Sequence, residues 1–301
     1  MGMDVADGKD TFGTVAIAGL GMLGGSLGLA LRRLPTPPRV LGLARRQASV
    51  DAAVAGGVID AGATDPAGIL PQADLTVLCL PVEDCVAFGR AQAAHWRNGA
   101  VVTDVGSVKG PLAEGLTALL ADRGVALVGS HPMAGSEKSG LAAANAGLYQ
   151  GATVFVTPGP GQEAAAVRVD AFWRRLGASV ERLSPQAHDA LVARTSHALH
   201  VLAAAAVEAV LRHPGAVSGT AGGFRDFTRI ASSSPDMWAQ IFAANRTEVL
   251  AALDEIGAET ARFRGLIAAG DWDGVQRYFA AARDRREAWQ QEWRRRQEVR
   301  P

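Results

Sequence analysis

Between an apolar run at 15–18 and an amphipathic stretch at 22–33 lies the segment Gly19-Leu20-Gly21-Met22-Leu23-Gly24. Three glycines at this spacing, entered from a strand and left through a helix, restrict the fold severely. The first allows the tight turn, the second lets backbone approach a pyrophosphate, and the third lets the helix pack close to the strand. The first turn of such a helix also directs unpaired N–H groups at phosphate oxygens. Gly19, Leu20, Gly21, Met22, Leu23 and Gly24 are therefore expected to bind a dinucleotide.

The pattern that begins there continues to about residue 183. Short apolar, β-branched runs at 15–18, 40–43, 75–80, 101–104, 125–128, 153–156 and 179–182 alternate with helical stretches at 22–33, 82–95, 111–122 and 162–176. That alternation is the pattern of a parallel sheet wrapped by helices. From Ser184-Pro185 onward only helical periodicity remains, at 186–211, 235–269 and 271–297, with a glycine-rich break at 215–223. The expected architecture is α/β: a Rossmann-type dinucleotide-binding domain over 12–183, then an all-α domain over 184–301. Aromatics such as Trp272, Tyr278, Phe279, Trp289 and Trp293 are too many for so small a helical domain to bury alone. A homodimer through the C-terminal helices would cover them.

Composition excludes several classes. The net charge is zero, which argues against a nucleic-acid groove. The longest apolar stretch, at 201–211, contains Glu208 and is too short for a bilayer span, so no membrane association is expected. The first ten residues are polar and acidic rather than basic then apolar, and only Cys79 and Cys85 occur. Two unpaired thiols suit a reducing compartment, and the expected location is cytoplasmic. None of the six histidines has metal-ligand spacing with thiols or carboxylates, so no metal is expected.

Cofactor choice is read at the end of the second strand. An Asp or Glu about 20 residues past the third glycine would hold the ribose hydroxyls of NAD. Here the chain runs Leu43-Ala44-Arg45-Arg46, with no carboxylate and two guanidiniums. Arginine binds phosphate in a bidentate manner, so NADP is favoured over NAD. Arg45 and Arg46 turned to solvent, or stacked on adenine, would leave NAD usable. The strand-end residues Leu80, Pro81 and Asp104 are counted with Ala44, Arg45 and Arg46 as cofactor-binding.

Ligands of such sheets collect in the crevice at the carboxyl ends of the strands. Four segments converge there. Asp104-Val105-Gly106-Ser107-Val108-Lys109 puts Ser107 at a strand tip, and His131-Pro132-Met133-Ala134-Gly135-Ser136-Glu137-Lys138-Ser139-Gly140 forms a loop after the run at 125–128. Ser196 and His200 share a helical face four residues apart, and Gly222-Gly223-Phe224-Arg225-Asp226-Phe227-Thr228-Arg229 precedes Ser234-Pro235-Asp236-Met237-Trp238. His188 is left open between pocket and core. A neutral histidine in the crevice could take a proton while a nicotinamide takes a hydride.

Taken together, GLGxxGGS, DVGSVK, HPMAGSEKSG, SHALH and GGFRDFTRIA, in this order and spacing, resemble the prephenate/arogenate dehydrogenase family of tyrosine biosynthesis. The resemblance runs from about Thr14 to about Ala269. It implies oxidative decarboxylation of prephenate, or of arogenate, on a two-domain enzyme that dimerises through its helical half. By position it implies that His131 hydrogen-bonds the ring C4 hydroxyl and accepts its proton, with Ser107 positioning the same oxygen. It likewise implies that Arg229 binds a substrate carboxylate, that Ser136, Ser196 and His200 line the pocket, and that Glu137 and Asp226 form an ionic network near Arg229. Of Arg225 and Arg229, the latter is expected to point inward. The chain departs from the commoner pattern at Ala44 and at Leu199, where a proline often stands.

Two rivals are weighed. A β-hydroxyacid dehydrogenase would share the plan, but that family resembles a pattern with a catalytic lysine in the helical half, and no lysine follows Lys138. A non-catalytic dinucleotide-binding regulator would not need His131, Ser107 and Arg229 together. The substrate's keto or amino side chain is not readable from these residues.

Overall fold

The structure, a computed structural model, describes residues 12–135 and 138–298. Eight strands form one sheet: β1 (Thr14–Ala18), β2 (Arg39–Leu43), β3 (Ala61–Ala63), β4 (Leu75–Leu78), β5 (Val101–Asp104), β6 (Ala126–Pro132), β7 (Thr153–Pro158) and β8 (Ser179–Arg182), in the order 3-2-1-4-5-6-7-8. Helices α1 (Met22–Arg32), α2 (Gln47–Ala55), α3 (Val82–Gln92), α4 (Gly110–Ala121) and α5 (Glu163–Arg175) lie between strands. The order reverses between β1 and β4, which is the switch point where an open α/β sheet forms its ligand crevice.

Successive side chains of a strand face opposite sides, and here both sides are buried. Val15 and Ile17 join a core with Leu27 and Leu31 of α1, Val50 of α2 and Phe172 and Trp173 of α5. Ala16 and Ala18 face the other core, with Cys85 of α3 and Leu112, Leu116 and Leu120 of α4. This is why the strands read as continuous apolar runs rather than alternating ones.

Three expectations are corrected by the sheet. It is not wholly parallel, because β7 runs antiparallel to β6. That pairing lengthens β6 through Pro132, so His131 stands within a strand opposite Phe155, not in a loop. Strand β3 was not anticipated: Ala-Gly-Ala lacks β-branched residues, and Gly62 is admitted because a Cβ there would press on the Gly42 carbonyl at 2.7 Å.

The helical half opens with α6 (Pro185–Val192), capped by the Ser184 hydroxyl accepting from the Ala187 N–H at 3.1 Å. A π turn, Ala193–His197, leads into α7 (Ala198–Leu211). Without a break, Pro185–Leu211 makes 27 helical residues, long and apolar enough by length and composition to cross a membrane. The run at 201–211 therefore understated this segment, because helix continues upstream through polar His188, Asp189 and Ser196. Val192, Ala193, His197, Ala198 and Ala203 along it are buried. Short α8 (Ala216–Gly219), α9 (Gly222–Thr228), a 3-10 turn Arg229–Ser232, and α10 (Pro235–Ala244) follow.

The chain divides into two compact units after Arg246, some 60 residues beyond the change of periodicity at 184. The second unit holds most of α11 (Arg246–Ala269) and all of α12 (Trp272–Glu298). Phe263 packs on Tyr278 and Phe279 at centroid distances of 5.0 and 5.6 Å. Trp272, Phe279, Trp289 and Trp293 remain exposed, while Tyr278 is half-buried.

Candidate active site

The dinucleotide turn has the geometry its glycines suggest. Gly19 adopts φ +102°, and a Cβ there would meet the Cys79 carbonyl oxygen at 2.4 Å, so only glycine lets the end of β1 lie this close to the end of β4. A Cβ on Gly24 would strike the Gly19 carbonyl at 1.9 Å. At Gly21 a Cβ would meet nothing within 4 Å: the space over the turn is open. Gly21 caps α1 without a side-chain hydrogen bond, so the cap itself gives the first N–H groups of the helix no side-chain acceptor. Met22 and Leu23 are half-buried there, and Leu20 belongs to the core, contributing backbone only. Half-buried Leu80 rests on Gly19, Pro81 caps α3 in the open, and Ala44 is half-buried. Arg45 and Arg46 are exposed, and among the described residues neither has an ion-pair partner. These features fit a dinucleotide.

Asp104 is the exception in this group. Its carboxylate is buried and accepts from the Gly106 N–H at 2.8 Å, the Ser130 N–H at 3.0 Å and the Lys109 ammonium. Lys109 is equally buried and also donates to the Ser130 carbonyl at 2.8 Å. The pair ties the loop after β5 to β6 one residue before His131, and engages both carboxylate oxygens of Asp104 within the fold.

Beyond that clamp a line of polar groups runs to His131. The Asp189 carboxylate accepts from the N–H groups of Lys109 and Gly110, each at 2.8 Å, at the start of α4. His188 Nδ1 lies 2.7 Å from Asp189 Oδ1, and His188 Nε2 lies 2.9 Å from His131 Nδ1. Asn245 donates to the Asp189 carbonyl at 2.9 Å and sits 3.2 Å from His197 Nδ1. Burial, then the charges of His188, Lys109 and His197, hold the His131 pKa well below the ordinary histidine value. Burial lowers His188 too, against the pull of its Asp189 hydrogen bond, and lowers His197 to about 4. His131 is thus a neutral base at neutral pH.

Ser107, His131, Ser196 and His200 line one cavity of about 240 Å³, to which Met237, Trp238 and Ile241 add an apolar wall. Trp238 lies against His200 at 3.8 Å between centroids with its ring tilted by 31°, and its indole N–H is buried without a hydrogen-bond partner among the described residues. The π turn places Ser196 and His200 together, with His200 Nδ1 2.9 Å from the Ser196 carbonyl. Burial lowers the His200 pKa, the Ser196 hydrogen bond opposes this, and the charge of Arg229 adds to the lowering.

The arginine arm departs from expectation. Arg229 opens the 3-10 turn after α9 and is exposed, with its charge acting on His200 of the cavity wall. Asp226 pairs with Arg225 at 2.9 Å, both strongly exposed, so its described partner is not Arg229. Both observations have one cause: α9 is a short helix of seven residues in which only Thr228 is buried. Ser136 and Glu137 lie outside the described residues.

Sequence reasoning did not assign Lys109, Asp189, Asn245 or Trp238, and left His188 open. A signal existed for one of them: an acidic residue beside a histidine in the first turns of a Ser-Pro-capped helix. Among the described residues no group of three His, Cys, Asp or Glu side chains is placed to hold a metal ion. Cys79 and Cys85 are free thiols; burial pushes Cys79 well up and Cys85 up to about 12.

A glycine turn at a sheet switch point, beside a cavity with a buried neutral histidine, defines the class: a dinucleotide-linked dehydrogenase. Comparison with known proteins narrows it. The family model described as prephenate dehydrogenase, nucleotide-binding domain, matches residues 27–182, and that described as prephenate dehydrogenase, dimerization domain, matches 184–281. Prephenate dehydrogenase of Bacillus subtilis (strain 168) is 34% identical over 281 residues, covering 91% of this chain and 75% of that protein. The crystal structure of prephenate dehydrogenase from A. aeolicus in complex with hydroxyphenyl propionate and NAD+ aligns with TM-score 0.84 at 32% identity, covering 92% of this chain and 98% of that one. Synechocystis arogenate dehydrogenase aligns with TM-score 0.80 at 26% identity, covering 92% and 99%. The chain belongs to the prephenate dehydrogenase family, and it is an oxidoreductase.

Proposed function

We propose that the chain converts prephenate to 4-hydroxyphenylpyruvate by oxidative decarboxylation, with NADP preferred to NAD. The observation that carries this reading is the meeting of Ser107, His131, Ser196 and His200 on one cavity, with His131 buried and neutral. Gly19, Gly21, Gly24 and the N-terminus of α1 would hold the pyrophosphate, and Arg45 or Arg46 the 2′-phosphate. When bound, the nicotinamide supplies the hydride acceptor.

His131 takes the proton of the ring C4 hydroxyl as the C4 hydrogen departs with its electron pair. Ser107 orients that oxygen. When the ring carboxylate leaves as CO2, its bonding electrons aromatise the ring and reach the same oxygen. His131 then returns the proton, so no net proton is released and the base is restored. A depressed pKa leaves His131 unprotonated when substrate arrives, and the substrate's negative charge favours the imidazolium once it forms. Arg229 is assigned a substrate carboxylate; its charge is felt at His200 on the cavity wall. Ser196 and His200 contact the substrate from the helical side; Ser136, Glu137 and Asp226 are also assigned to the substrate.

The functional division is set at 184, and the chain acts as a cytoplasmic homodimer joined through its C-terminal helices. Exposed Trp272, Phe279, Trp289 and Trp293 support the interface, and two unpaired thiols support the compartment. Arogenate is the second reading, favoured by the similarity to the Synechocystis enzyme. A matrix of prephenate and arogenate against NADP and NAD separates the readings. The highest kcat/KM is expected for prephenate with NADP. Turnover of neither substrate would overturn the enzymatic reading in favour of a binding protein.

A further inference from the structure

Asp189, when ionised, can only accept hydrogen bonds, and it already accepts two backbone N–H groups at the start of α4. The atom 2.7 Å from its Oδ1 must then be a donor, so His188 carries its proton on Nδ1. A neutral His188 therefore offers a lone pair at Nε2. The partner of that lone pair, 2.9 Å away, is His131 Nδ1, which must in turn be the donor. Of the two ring nitrogens of His131, this leaves Nε2 for the cavity, without a proton. We propose that His188, fixed by Asp189, is a positioning residue that locks His131 in the Nδ1–H tautomer and so makes its cavity-facing nitrogen a base.

Were His188 reversed or removed, the Nε2–H tautomer of His131 would become accessible. It would face the substrate hydroxyl as a donor and could not take its proton. The line is also rigid. His188 is fully buried, His131 and Phe155 both meet it edge-on at 5.1 and 5.6 Å, and Asp189 is bound to α4 and, through its carbonyl, to Asn245. Protonation of His131 at Nε2 changes no other hydrogen bond in the series, so the proton can arrive and leave without rearrangement. This inference rests on His131 being the base.

Tautomers are read from 15N shifts of the full-length protein labelled at histidine, with signals assigned by His131→Asn and His188→Phe. Both His131 and His188 are expected as Nδ1–H forms at neutral pH; an Nε2–H form at His131 overturns the proposal. In kinetics, His188→Phe keeps the ring volume and removes the acceptor, and should lower kcat by about 10- to 1000-fold, less than a broken triad at its worst, with little change in KM. His188→Gln places a carbonyl oxygen near the former Nε2 and should recover much of that loss, which a purely structural role would not give. A kcat for His188→Phe within about twofold of wild type overturns the positioning role. Should His131→Asn retain full turnover, the base itself is misassigned, a failure separable from the other because it leaves the tautomer signals of the wild type unchanged.

Discussion

Two sets of charged and titratable groups behave in opposite ways in this molecule. Around β5, β6 and α6, Asp104, Lys109, Asp189, His188 and His131 are buried and bound to one another or to backbone. Arg45, Arg46, Arg225 and Arg229 face solvent, and of these Arg225 alone has an ion-pair partner, also exposed, among the described residues. The first set is organised by folding, before any ligand arrives. The second is left by the fold as open positive charge, suited to groups that bring negative charge with them. On the proposed reading, proton handling uses a low-dielectric, fixed setting, whereas anion recognition falls to long, exposed side chains.

The largest effect should come from the buried set. His131→Asn should retain dinucleotide binding but lower kcat by roughly 10²–10⁴, the scale of general-base loss. Measured by steady-state turnover and cofactor titration, a loss of only a few-fold would reduce His131 to a strand residue. Lys109→Met next leaves the Asp104 carboxylate buried without its cation, which costs about 3–5 kcal/mol. Urea unfolding should show it as a shifted midpoint with unchanged slope; a stability like that of wild type would mean the two N–H groups on Asp104 suffice.

The buried set also fixes how stability responds to acid. The pKa values of His131, His188 and His197 are lower folded than unfolded, so below about pH 6.5 the unfolded chain binds protons that the folded chain refuses. Stability is therefore complete above that pH and falls as the pH drops toward the folded values, by at most about 1.4 kcal/mol per unit for each histidine. For His197, lowered to about 4, the loss between pH 6.5 and 5 is roughly 2 kcal/mol. Thermal unfolding should show it even at high salt, because the groups are buried. A melting temperature flat from pH 7.5 to 5 would mean that these rings are not held neutral.

The two sets were also unequally legible. Periodicity and three glycines give the sheet, its dinucleotide turn and the change to helices at 184, because each is a local property of the chain. His131, Ser107, Ser196 and His200 are picked out by motif position, and the structure brings them to one cavity. The grip of Asp104 and Lys109 on Ser130, the Asp189 contact with Lys109 and the meeting of His188 with His131 join residues 21 to 80 apart in sequence, and only tertiary contact brings them together. Asp104 shows the cost: a strand-end carboxylate looks like a cofactor ligand until its partners are known. The antiparallel β6–β7 pairing likewise depends on register, and it turns an apparent loop at His131 into strand.

Among the exposed arginines, Arg229→Ala should raise the KM for substrate by roughly tenfold to a hundredfold with a smaller change in kcat. On the proposed assignment the contact is made before and during hydride transfer, and a charged hydrogen bond is worth about 1.5–3 kcal/mol. Arg225→Ala should change KM little, since its partner is Asp226. The reverse order of these two variants would transfer the carboxylate to Arg225.

The smallest effect belongs to cofactor choice, and it separates the two sets most sharply through salt. Ala44 gives the ribose hydroxyls of NAD no carboxylate, while Arg45 and Arg46 stand exposed beside it at the end of β2 and the start of α2. An exposed ion pair contributes about 1 kcal/mol or less, so Arg45→Ala should weaken NADP by up to roughly fivefold and leave NAD nearly unchanged. Ions screen that contact over about 10 Å at 0.1 M salt and about 3 Å at 1 M, so the gap between wild type and variant should shrink as salt rises. Ala44→Asp should act in the same direction, by repelling the 2′-phosphate and by offering NAD an acceptor for its hydroxyls. The deficit of His131→Asn, lying in a buried network, should keep its size over the same salt range. A wild type that prefers NAD tenfold or more would show that both arginines stay in solvent when the cofactor binds, and that open charge at this edge of the sheet serves no phosphate.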